Sequence, residues 1–151
     1  MSSLEADSER GVVGGVEVLP FGLLIFVALA LVIANAWAVV DAKLAAEDAA
    51  REAGRAFVEA HDPSAAPGAA RAAGRAAVAG VGRDPSRLDI SISAAAYERC
   101  EVVQVATGYR MAALTVPFVG RLGSGLVVHG HHREVIDPFA SGLGPRNRCG
   151  F

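Results

Sequence analysis

Lysine occurs once in this chain of 151 residues, at Lys43, against thirteen arginines. Aromatic residues make up only 6% of it. Beyond residue 40 they are Phe57, Tyr97, Tyr109, Phe118, Phe139 and Phe151, which limits that part of the chain to a modest core and favours an assembled context. Excess positive charge is missing as well, with 14 basic side chains against 16 acidic ones. From residue 41 onward both signs are interspersed, so no nucleic-acid footprint forms. The chain has no Gly-x-Ser-x-Gly elbow, no phosphate-cradling glycine loop and no Cys-His nucleophile signature. Gly120, Gly123 and Gly125 follow Pro117 and lead into a strand pattern, which makes them turn glycines rather than a phosphate site. No internal repeat is present. These absences point to a non-enzymatic chain with no cofactor and no small-molecule substrate.

Apolar residues are what the chain has in quantity, 52% of the total, and they are unevenly placed. Residues 18–40 carry no formal charge and are bracketed by Glu17 and Asp41. As a helix this run rises about 35 Å, enough to cross a hydrocarbon core of about 30 Å. Residues 1–15 are polar and mostly acidic (Glu5, Asp7 and Glu9, with Arg10). A cleavable secretory signal has a basic start, a shorter apolar stretch and a small-residue cut site. A retained membrane anchor fits better. Pro20 falls in the first turn, where its missing N–H is harmless, and Trp37 stands near the far end, where tryptophan marks headgroup level. Much of the remaining apolar count is alanine, thirty residues in all. With the arginine bias this reflects a GC-rich coding sequence, so the alanine abundance is partly background.

Residues 16–61 read as one helix close to 70 Å long, a span followed by a stalk. Glu47 and Asp48 precede Arg51 by four and three residues, and Glu52 precedes Arg55 by three. Such pairs contribute roughly a few tenths of a kcal/mol each. Ala46, Ala50, Ala53 and Phe57 form a narrow apolar stripe. In residues 62–87, Asp62-Pro63 reads as a stop and possible cap. A second alanine-rich helix starts near Pro67 and is ended by Gly80 or Gly82, with a turn after it. Residues 88–139 form a small β region. Leu88, Ile90 and Ile92 alternate with polar residues, a second strand runs from Cys100 toward Arg110, and a third covers 126–136 up to Asp137-Pro138. Residues 111–125 read as a loop, and 140–151 as an irregular tail. The fold class is α+β: a single-pass membrane helix with its stalk, a second helix and an antiparallel sheet of about three strands.

Three groups of residues invite chemistry. His129 and His131 share a strand face, with His132, Glu134 and Asp137 close by, and imidazole pairs at that spacing hold zinc or copper. The simpler reading, a polar strand face, is preferred, and no metal site is assigned. Cys100 and Cys149 would close a loop of about 50 residues worth roughly 4 kcal/mol if the tail lies outside the cytoplasm; otherwise they are two unpaired small residues. Glu17 is either a helix N-terminal acid favoured by the macrodipole, or a charge that needs a partner among packed membrane helices.

The stretch Arg10-Gly11-Val12-Val13-Gly14-Gly15-Val16-Glu17-Val18-Leu19-Pro20, with the apolar run behind it, resembles the start of TadE-like proteins of the tight-adherence (Tad/Flp) pilus system. The helix continues into Ala49-Ala50-Arg51-Glu52-Ala53, as in that family. Val116-Pro117-Phe118-Val119-Gly120 and Val135-Ile136-Asp137-Pro138-Phe139 are similar to its tail. The resemblance implies a pilin-like fold in a bacterial envelope protein, here of actinobacterial type, and partners among pilus or secretion-system subunits as well as the lipid bilayer. It also implies a registry role for Glu17 between neighbouring subunits and prepilin-type processing around Gly11, Val12 and Val13. The spacing departs by one residue: counted from Gly11, Glu17 is sixth where the family has its glutamate fifth, and an uncleaved single-pass chain is the alternative. Lys43, Arg51 and Arg55 outnumber Arg10 across the span, which taken literally puts the tail in the cytoplasm. The resemblance and the paired cysteines place it outside, and that is the expectation adopted. A membrane-tethered binding module using the histidine face is the second reading.

Overall fold

Charge-free sequence passes into strong helix formers without a break after residue 17, and the first helix, α1, spans Val18–Val58. The computed structural model describes residues 18–123, 125–141, 143 and 149. After α1 come α2 (Ala66–Gly80), a 3₁₀ turn (Pro85–Arg87), β1 (Leu88–Ser93), β2 (Val102–Met111), β3 (Leu114–Val116), β4 (Gly120–Leu122) and β5 (Leu126–Val135). The architecture is α+β with one candidate membrane helix. The chain divides into two compact units, Met1–Ala38 and Val39–Phe151.

The first unit is described from Val18. Its apolar window is buried nowhere, so Leu19, Phe21, Phe26, Ile33 and Trp37 all stand open. Among the described residues, α1 is the one helix long and apolar enough to cross a membrane. In this segment Asn35 Nδ2 donates to the Leu31 carbonyl at 2.8 Å.

The second unit is built on the rest of α1. Ala42, Ala45, Ala46, Ala49, Ala50, Ala53, Gly54 and Phe57 are buried, and their three- and four-residue spacing puts them on one face. That face lies on a three-stranded antiparallel sheet of order β1-β2-β5, with Leu88 opposite Tyr109 and Met111 opposite Leu126. Along β2, Val103, Val105, Thr107 and Tyr109 point toward the helix and are buried, the period of two expected of a half-covered strand. The chain runs along the sheet in a fixed order. Val39 and Ala42 cluster with Tyr109, Val128 and Met111, whereas Ala53 and Phe57 cluster with Val103, Val105 and Ile136. We call the end where the chain comes in at Val39 proximal, and the opposite end distal.

The seam is close because it is made of small residues. A Cβ on Gly130 of β5 would collide with the backbone of Ala46 and Glu47. On α2, a Cβ on Gly74 would meet the Ala49 carbonyl oxygen at 3.1 Å and the Ala53 Cβ at 3.4 Å, so the two helices also touch backbone to backbone. Thr107 Oγ1 donates to the Ala46 carbonyl at 2.7 Å, which satisfies the one buried polar side chain among the described core residues.

Several expectations need correction. Residues 111–125 are not a simple loop but hold the β3–β4 ladder, with Leu114 opposite Leu122 and Val116 opposite Gly120. Pro117 pre-sets the turn, and Val119 N donates to Val116 O at 3.3 Å across a tip whose Phe118 has φ 66°, the left-handed value that position i+2 of a type II turn demands. The second strand begins at Val102; Cys100, at φ 68°, lies outside it. Asp62 does not cap α2. It accepts from the Ser64 amide at 2.8 Å in a local turn, and α2 begins at Ala66 without a side-chain cap. On the outer face of α1, Arg51 pairs with Asp48 at 3.1 Å as the spacing predicts, but Arg55 pairs with Glu59 at 2.9 Å instead of Glu52, and Lys43 pairs with Glu47 at 3.0 Å.

Candidate functional site

Strand alternation decides the histidine cluster. His129 and His131 lie on the outer face of β5, their rings stacked with centroids 6.4 Å apart. His132 and Glu134 turn the other way, toward Gly54 of α1, and His132 Nε2 lies 3.0 Å from Glu134 Oε1. The carboxylate thus belongs to the opposite side of the sheet from the His129–His131 pair. No group of three or more His, Cys, Asp or Glu side chains among the described residues converges as a metal set. The outer face offers a shallow groove instead, with Ser91, Ser93, Gln104, His131 and Arg133 among its lining residues.

At the distal end the chain closes on itself. Cys100 and Cys149 are joined by a disulfide, with Cα atoms 5.3 Å apart. Beside it, Cys100 N donates to Ile136 O at 2.9 Å and Ile136 N to Glu101 O at 3.0 Å, which extends the β2–β5 pairing past both strands. The Arg99 guanidinium donates to the Ala140 carbonyl at 2.8 and 3.0 Å. Tyr97 stacks at a tilt on Phe57, centroids 5.4 Å apart, and its hydroxyl donates to Ala60 O at 2.7 Å. It thereby caps carbonyls that the end of α1 leaves without helical partners. Burial raises the Tyr97 hydroxyl above its ordinary pKa.

Exposed apolar residues stand at both ends, Val102, Val135 and Phe139 at the distal one, and the proximal end has its own set. Phe118 is fully open at 109% and Val119 at 69%, both at the β3–β4 tip. The turn after α2 carries Val81, exposed at 60%. Arg83 fixes that turn to the proximal end, since it pairs with Asp41 and lies 5.5 Å from the Tyr109 ring centroid.

Of the residues singled out by sequence, the structure brings Cys100 and Cys149 together and parts Glu134 from His129 and His131. Glu17, Gly11, Val12 and Val13 lie outside the described residues. The sequence reading missed Tyr97, Thr107 and Gly130. Only Gly130 left a signal, being a glycine inside a strand pattern, which marks close backbone approach. No protein-family model matches this chain, and neither curated proteins nor solved structures give a match.

Proposed function

We propose that the chain is a TadE-like, membrane-anchored component of a Tad/Flp-type pilus or a related envelope secretion apparatus, acting as a minor pilin-like subunit or assembly factor and not as an enzyme. The observation that carries the reading is α1 itself. Its open apolar stretch passes directly into a helix whose small-residue face is covered by an antiparallel sheet. That design suits a protein held in a bilayer by one helix while presenting a folded head. In this reading Glu17, at the edge of the apolar run, registers neighbouring subunits. An uncompensated carboxylate at that depth is costly unless it finds a partner.

The disulfide supports placing the head outside the cytoplasm, because such bonds persist in oxidising compartments. Replacing Glu17→Ala in the native host is expected to abolish piliation while the protein stays in the membrane fraction, and normal piliation would sink the registry role. Mass spectrometry of the mature N-terminus separates the two forms of the anchor. A start at Val12 or Val13 is expected for prepilin-type processing, and an intact Met1 for a permanent anchor.

The groove lined by Ser91, Gln104, His131 and Arg133 favours one alternative, a tethered binding module. Loss of a bound partner on His131→Ala, with piliation intact, would favour it.

A further inference from the structure

A folded head that ends a membrane helix has one end through which the chain arrives, and here that end can be identified from contacts within the head alone. Val39 and Ala42, the first residues of the unit, pack with Tyr109, Val128 and Met111. Two connections leave the sheet and helices at this same end. One is the turn after α2, held there by Arg83 to Asp41. The other is the whole segment from Met111 to Leu126, which are direct partners in the ladder. Val40 is the last residue of the charge-free run and Asp41 the first charge after it. The proximal end is therefore the part of the head nearest, along the chain, to the point where α1 would leave the hydrocarbon.

The exposed apolar residues of these two connections match that position. Among the described residues the β3–β4 hairpin pairs with no other strand, and it carries Phe118, Val119 and Leu122 in the open; Val81 is open in the other turn, and Leu126 and Val127 at the foot of β5. Three residues per strand carry the hairpin tip about 10 Å beyond its base. Phe118 is held at φ 66°, a region that bulky residues rarely occupy. The turn geometry set by Pro117 holds it there and leaves the ring at the tip. An aromatic on a protruding apolar tip has the composition of an interfacial anchor; the arginines at this end of β1 and β2, Arg87 and Arg110, pair with Asp84 and Asp89.

We propose that the proximal end of the head is a lipid-facing surface: the Pro117-Phe118-Val119 tip inserts into the headgroup boundary of the bilayer that α1 crosses, with the Val81 turn resting on the same boundary. The proposal depends on α1 being a membrane span, and it adds that the head docks on the membrane rather than standing clear of it.

The test uses the full chain reconstituted in phosphatidylcholine–phosphatidylglycerol vesicles. Trp37→Phe removes the native indole, and Phe118→Trp places a probe at a fully open site. A matching probe, Phe139→Trp, sits at the exposed distal end, where Phe139 is 75% open. Flotation after a carbonate wash reports on the anchor independently. The expected result is a blue-shifted emission for the probe at 118, quenched by lipids brominated in the acyl chain and shielded from aqueous iodide, while the probe at 139 behaves in the opposite way. A chain that floats but shows iodide quenching at 118 overturns the docking and leaves the anchor standing. A chain that washes off overturns both. A blue shift at 118 without bromolipid quenching, growing with the protein-to-lipid ratio, overturns lipid docking in favour of a second copy of this chain. Equal bromolipid quenching at 118 and 139 overturns the assignment to the proximal end.

Discussion

Gly130 and Thr107 meet α1 at the same turn, and they define how close helix and sheet stand. Gly130→Ala puts a methyl against the backbone of Ala46 and Glu47, where no side chain can rotate away. Overpacking of that kind costs about 1–3 kcal/mol, and this site belongs at the upper end. Thr107→Val keeps the shape and loses one buried hydrogen bond to Ala46 O, a loss of about 1 kcal/mol. Chemical denaturation of the detergent-solubilised chain, followed by circular dichroism, should rank Gly130→Ala below Thr107→Val, and the reverse order would mean the seam is looser than its geometry. Of these two residues only the glycine was legible in the sequence. A threonine in an alternating strand carries no mark of which carbonyl it will reach, since that depends on the crossing of a helix sixty residues away in the chain.

At the scale of elements, the turns and closures are the parts that titrate or can be cut. Asp84 accepts from the hydroxyl and amide of Ser86, which hold its carboxyl below the usual range. Asp62 is likewise lowered by the amide and hydroxyl of Ser64. A depressed carboxylate favours the folded state when ionised. Its contribution is complete above the ordinary aspartate range and fades as pH falls through that range toward the lower folded-state value. Asp84→Asn should therefore flatten the acid limb of a stability–pH profile and leave neutral stability little changed; an unaltered limb would argue against it. The disulfide contributes more to stability than either turn. Reducing Cys100–Cys149, 49 residues apart, should cost about 4 kcal/mol if the bond acts on the unfolded chain, seen as a lowered denaturation midpoint in the presence of reductant. The strands were legible because their alternation is local. The β3–β4 ladder was not, because glycine and proline mark a turn without saying whether its flanks pair. Nor could two cysteines alone announce their bond, since nothing local to either one says what lies opposite it in the fold.

For the whole molecule, the proposal that α1 spans a membrane raises the question of which side would hold the head. Placement outside predicts that protease added to intact spheroplasts digests the head and spares a fragment containing residues 18–40, and complete protection would put the head in the cytoplasm. The α+β organisation was readable from the sequence in outline, since an uncharged run followed by helix formers and then alternating strands leaves few arrangements. Which residues face one another across the seam was not, because alanine recurs on every side of α1 and its periodicity is blurred.

That seam has a mechanical consequence. Residues 39–57 of α1 run opposite to β2, with Gly130 of β5 close against the Ala46 backbone and the Thr107 hydroxyl of β2 bonded to the Ala46 carbonyl. A pull along residues 39–57 of the helix acts parallel to this contact, so helix and sheet must slip along their whole length together, loading the joint in shear instead of peeling it one residue at a time. Close-packed interiors transmit strain rather than absorb it. The Cys100–Cys149 bond holds the opposite end shut, and the head would carry tension as one stiff laminate.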